Sequence, residues 1–97
     1  MPTLNDLRDE IDKIDGALFG LFTYRMHLSA EIARVKAMLG QPIFDQEREA
    51  FLMEAAAARV PPELAEEARL LQACLGQLSR AYQRRETGLP GHCEPAN

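Results

Sequence analysis

Arg25 stands where an aliphatic residue is due. From Leu4 onward, apolar residues recur in alternating steps of three and four: Leu4, Leu7, Ile11, Ile14, Leu18 and Leu21, then Arg25, then Leu28, Ile32, Val35 and Leu39. A guanidinium buried unpaired in such a seam is costly. Alone, Arg25 reads as a register-setting polar residue or one half of an interhelical ion pair. Lys36 adds another reading. On a helix it falls within about 20° of the same face as Arg25 and roughly 16 Å further along the axis. Both side chains are long, and a small dianion between them would be gripped at two places. A solvated lysine is the plain alternative. Arg8 is about 100° around the helix from Arg25 and some 42 Å from Lys36. One straight helix cannot bring Arg8 and Lys36 to a single ligand, whereas an antiparallel second copy could.

Two further clusters carry polar groups at helical spacing. Asp45, Arg48 and Glu49 lie at i, i+3 and i+4, on the first turn of a helix. They could be a capping and ion-pair cluster or part of a site. Ser79 and Gln83 are also four apart, on a polar stripe beside an apolar one, and could equally be surface residues. The two histidines, His27 and His92, have no companions at metal or nucleophile–base spacing. No glycine-rich phosphate loop occurs. If the chain is an enzyme, its chemistry must rest on positioned positive charge and hydrogen bonds, without a nucleophile or metal.

These groups have to be held by helices. Prolines at 2, 42, 61, 62, 90 and 95 leave three proline-free stretches, each with helical periodicity and none with strand-like alternation. The first spans Leu4 to Leu39, capped by Thr3 or Asn5 and stopped by Gly40 ahead of Pro42. Gly16 and Gly20 leave a notch where another helix could approach. The second starts after Asp45, a good N-cap, and runs through "QEREAFLMEAAAARV". The third opens at Pro62 and Glu63 and carries an apolar stripe of Leu64, Ala68, Leu71, Leu75, Leu78 and Tyr82. Residues 1–87 make one domain. The rest, 88–97, reads as a flexible tail.

The first helix is too long for a compact chain. Thirty-six residues span roughly 54 Å, against a diameter of about 30–35 Å for a compact monomer of this length. A second copy burying the same seam is the cheaper arrangement, so an intertwined all-α homodimer of three-helix chains is expected.

Composition agrees. The 97 residues are 46% apolar, rich in Ala and Leu and poor in aromatics, which favours helices. The net charge of −4 and the scattered basic residues argue against nucleic acid as partner. The start "MPTLNDLRDE" lacks an apolar leader and no run is long enough to span a bilayer, so a cytoplasmic protein without a membrane partner is expected. Cys74 and Cys93 read as reduced thiols.

The fragments "LRDEIDKID", "YRMHLSAEIARVK", "PIFDQERE" and "LSRAYQ", in this order between Leu4 and Gln83, together resemble the chorismate mutases of the all-helical AroQ class. That resemblance implies an intertwined dimer with two equivalent sites and a pericyclic rearrangement of chorismate to prephenate, without cofactor. Arg25 would bind a substrate carboxylate, with Ser79 nearby. Arg8 of the partner chain and Lys36 would bind the enolpyruvyl carboxylate. Lys36 and Gln83 would donate to the ether oxygen, Asp45 and Glu49 would hold the ring hydroxyl, and Arg48 would support the carboxylate network. Isochorismate–pyruvate lyases share the fold but tend to lack the paired acids of the "D..RE" motif, both present here. Aminodeoxychorismate mutase is not separated by this pattern. A non-catalytic helical dimer would explain the seam and leave the polar residues as coincidence.

Overall fold

The computed structural model describes residues 1–88. The expected tail therefore lies, apart from Gly88, outside the described residues, as do His92 and Cys93. Three α-helices account for nearly all of the described chain: α1 (Leu4–Leu39), α2 (Gln46–Ala58) and α3 (Ala65–Thr87), with a short 3₁₀ turn, Pro62–Leu64, ahead of α3. No strand occurs among the described residues. None of these helices is long and apolar enough to cross a membrane.

Local chemistry sets the helix ends. Thr3 caps α1: its hydroxyl accepts from the Asp6 amide while the Asp6 carboxylate accepts from the Thr3 amide. Gly40 ends α1 at φ 70°, a left-handed conformation that glycine adopts without a Cβ penalty. The Gln41 amide then reaches back to the Lys36 carbonyl at 2.8 Å. Asp45 caps α2 by accepting from the Arg48 amide at 3.0 Å. Two boundaries differ from expectation. α2 stops at Ala58, with Arg59 as its C-cap. Pro62 opens a 3₁₀ turn rather than α3 itself, because Leu64 at φ −110°, ψ 6° leaves the helical region.

α3 packs on both other helices. Contacts between 25 and 79, 29 and 83, and 34 and 86 ascend together, so α3 runs parallel to the C-terminal half of α1. Contacts between 49 and 80 and between 54 and 69 run in opposite order, so α2 and α3 are antiparallel. At the surface, Arg69 clasps Glu54 through two hydrogen bonds of 3.1 Å and also pairs with Glu66. The Arg69 hydrogen bonds and charge hold the Glu54 carboxyl below its ordinary value, and the same acids raise Arg69 further.

The core of the single chain is thin. Its buried apolar residues are Met26, Ala30, Ala33, Ile43 and Ala57. The aliphatic seam of α1 is not among them: Leu4, Leu7, Ile11, Ile14, Leu18, Leu21, Leu28, Ile32, Val35 and Leu39 are each about half exposed or more. Likewise, among the described residues nothing stands within 4 Å of a Cβ built at Gly16 or Gly20. The chain measures 57 × 26 × 25 Å with a radius of gyration of 16.5 Å, against about 12.5 Å for a compact chain of this length. Of the apolar stripe of α3, Leu64, Leu71 and Leu78 are exposed in the single chain while Ala68, Leu75 and Tyr82 are half-buried, and the buried positions of α3 are Ser79, Arg80 and Gln83. The polar face of α3 is the one that meets α1 and α2, because it meets small residues and partners for its hydrogen bonds.

Candidate active site

Seven of the eight residues singled out in the sequence line one cavity of about 630 Å³ between the three helices: Arg25, Lys36, Asp45, Arg48, Glu49, Ser79 and Gln83. The eighth, Arg8, is exposed near the far end of α1, roughly 26 Å along the axis from Arg25. A single chain does not bring it to the others.

Each polar group is held by a partner. The Arg25 guanidinium donates to the Ser79 hydroxyl at 2.6 Å. That hydroxyl, accepting there, directs its proton toward the Met26 sulfur at 3.8 Å. Lys36 donates to the Ile43 carbonyl at 2.9 Å, which ties the connection after α1 to the helix and leaves two ammonium N–H groups uncommitted to that bond. The Gln83 amide donates to the Ser29 carbonyl at 2.8 Å. A carbonyl can only accept, so the NH₂ end must face α1, and its second N–H remains available. Ser79 and Gln83 are buried rather than surface residues.

The cluster at the start of α2 divides. Asp45 is exposed and caps the helix. Arg48 is exposed, with its guanidinium over the Phe51 ring at 5.3 Å. Glu49 is half-buried and bound by Arg80 of α3, whose Nη1 contacts both carboxylate oxygens. Neighbours on a helix do not face each other, so the cation for Glu49 comes from another helix rather than from Arg48.

Sequence reasoning missed Arg80 and Arg59, both of which line the cavity. Arg80 had a weak signal: it follows Ser79 and lies about 60° around the helix from Gln83. Arg59, at the end of α2, had none. With them, five basic side chains face two acidic ones in a chain whose net charge is −4. The cavity is therefore suited to a small anion with hydrogen-bonding groups. A second depression, about 790 Å³ and lined by Phe22, Met26, Leu78 and Tyr82 among others, has no acidic residue and lies on another side of the α1–α3 contact.

The sequence model described as chorismate mutase type II matches residues 7–84, four-fifths of the chain. The chain belongs to the chorismate mutase type II family. It is 45% identical over 69 residues to a T-protein of Enterobacter agglomerans, covering 66% of this chain and 18% of that protein. A T-protein of Haemophilus influenzae is 42% identical over 55 residues, covering 57% and 15%. A chorismate mutase of Methanocaldococcus jannaschii is 37% identical over 51 residues, covering 53% and 52%. This family member thus spans less than a fifth of the T-proteins' length and about half of the Methanocaldococcus chorismate mutase. No solved structure matches it.

Proposed function

We propose that this chain catalyses the rearrangement of chorismate to prephenate, in aromatic amino acid biosynthesis, as a homodimer with two equivalent sites. The observation that carries the reading is the convergence of Arg25, Lys36, Arg48, Ser79 and Gln83 with Asp45 and Glu49 on one cavity, in a member of this family.

The reaction is unimolecular and moves no proton. As the C–O bond breaks, the ether oxygen gains negative charge. Lys36 and Gln83 are the donors for that oxygen. Each is pinned by one bond to a backbone carbonyl and keeps a further N–H for the substrate. Donors fixed in advance stabilise the transition state more than the ground state, because they need not reorient as charge develops. Arg25, held by Ser79, takes a ring-side carboxylate, and Arg48 adds positive charge. Asp45 and Glu49 accept from the ring hydroxyl. The clamps hold the enolpyruvyl side chain over the ring in a reactive conformer.

Arg8 of the second copy completes the site at the enolpyruvyl carboxylate. The exposed seam supports this assembly: each half-exposed aliphatic contributes about 1 kcal/mol when covered, and ten of them lie in register along α1.

The test is loss of chorismate absorbance on adding purified protein, with prephenate identified as product. Isochorismate supplied in parallel should release no pyruvate. Chorismate left unchanged beyond its spontaneous rate would overturn the proposal.

A further inference from the structure

Arg80 is the most buried cation of the cavity, and no role above uses it. Its side chain is 9% exposed and that of its partner Glu49 is 27% exposed. Three features fix the pair. Arg80 Nη1 spans both Glu49 oxygens. The Phe44 ring lies under the guanidinium, 4.9 Å from Cζ to the ring centre. Gly76, one turn before Arg80, leaves room for the carboxylate: a Cβ there would stand 2.7 Å from Glu49 Oε1. Arg80 Nε is buried without a partner, so the side chain is held by this socket at the expense of one donor.

A carboxylate in a site for a dianion needs explaining. Uncompensated, Glu49 would repel the substrate and attract any cationic group at the ring position it faces. With Arg80 on both its oxygens, Glu49 still accepts hydrogen bonds but no longer presents a net charge. A neutral hydroxyl satisfies that acceptor. An ammonium at the same position would meet the Arg80 guanidinium and gain little from Glu49, already neutralised, which leaves only the exposed, solvent-screened Asp45 to attract it.

We infer that Arg80, seated against Gly76, is the counter-ion of Glu49 and a specificity-determining positioning residue, setting the site for a substrate bearing a hydroxyl over one bearing an amine at that ring position. This rests on the mutase reading above and separates chorismate from aminodeoxychorismate.

The experiment measures kcat and KM on chorismate and on 4-amino-4-deoxychorismate for wild type, Arg80→Met, Arg80→Lys, Glu49→Gln and the double variant Glu49→Gln/Arg80→Met, with circular dichroism on each. Wild type should prefer chorismate. Arg80→Met should lose about 10- to 100-fold in kcat/KM on chorismate, mainly through KM, and much less on the amine. Arg80→Lys should keep the wild-type preference. Glu49→Gln should shift the preference the other way, against the amine, because Arg80 is then uncompensated. Removing the carboxylate from Arg80→Met should restore chorismate binding, so the double variant should have a lower KM than Arg80→Met alone. If Arg80→Met does not fold, the direction of the Glu49→Gln shift decides the matter. Parallel losses on both substrates, or losses in the double variant that simply multiply, would overturn the inference while leaving the mutase reading intact. Wild-type turnover of neither substrate would remove both.

Discussion

Between Leu4 and Leu21 no residue of α1 is buried, whereas between Met26 and Ala33 four are. The same aliphatic seam runs through both halves and is exposed in both. The C-terminal half differs by having a second face, made of Met26, Ser29, Ala30 and Ala33, that is narrow enough for α3 to approach. Small side chains let helix axes come close, so polar groups of α3 reach α1: Ser79 meets Arg25, and Gln83 meets the Ser29 carbonyl. The N-terminal half carries mostly charged residues on its other faces apart from Gly16, Ala17 and Gly20, and among the described residues nothing stands within 4 Å of a Cβ built at either glycine. A hydrophobic seam declares a need for a partner surface without naming the partner. Here the chain spends its own small-residue face on the site and leaves the seam for the proposed second copy.

Charge placed on the N-terminal half should have the largest effect. Leu18→Glu puts a carboxylate in the seam two turns before Arg25, about 10 Å along the axis, at a position that does not line the cavity. If a second copy covers that seam, the variant should lose its dimer by sedimentation, lose cooperative helix melting and show background activity. A dimeric, fully active Leu18→Glu would break the comparison, since the N-terminal half would then have no structural partner.

On the C-terminal half, the effect should be confined to chemistry. Gln83→Ala should cost roughly 100- to 1,000-fold in kcat/KM at every pH, the usual consequence of losing one preorganised donor, with an unchanged circular dichroism spectrum. Gln83→Glu places an acceptor beside an oxygen gaining negative charge. It should be slow at neutral pH and recover as acidification between pH 8 and pH 4.5 protonates it into a donor (about one unit around the carboxylate range is decisive). Wild-type activity at neutral pH from the glutamate variant would remove Gln83 as the ether-oxygen donor.

The two halves can also be joined in one measurement. Arg8→Ala and Lys36→Ala homodimers should each be nearly inactive. Refolded together in equal amounts, they should regain about a quarter of wild-type activity: half the dimers are mixed, and each mixed dimer has one complete site. No recovery, despite mixed dimers by native mass spectrometry, would place Arg8 outside the partner's site.

The smallest effect belongs to the exposed clasp between α2 and α3. Glu54→Gln should leave turnover unchanged. The carboxyl is lowered from 4.5 by Arg69, so its stabilisation is present above that value and fades as pH falls through the lowered one. A slight deficit in Tm at pH 7 should therefore close in acid. A large deficit at neutral pH would mean that the exposed pair holds the helices together, contrary to the usual weakness of such pairs.

Much of this protein is determined by local sequence. Thr3 with Asp6, Gly40, Asp45 and the prolines set where the helices begin and end, because capping and backbone geometry act over three or four residues. The seam and the length of α1 follow from periodicity alone, as does the mismatch with a compact monomer. Seven of the cavity-lining residues were legible, Arg25 because it breaks the seam and the other six chiefly because together they match an ordered family motif. Tertiary structure decided the rest. The sequence left open which face of α3 meets its own chain: Leu71 and Leu78 are exposed, and Ser79, Arg80 and Gln83 are inside. Periodicity identifies a face but not its neighbour. The pairing of Glu49 with Arg80 joins residues 31 apart on different helices, and no spacing rule along one chain segment encodes such a contact. It exists because antiparallel packing of α2 and α3 brings the carboxylate to the one turn of α3 where Gly76 leaves it room.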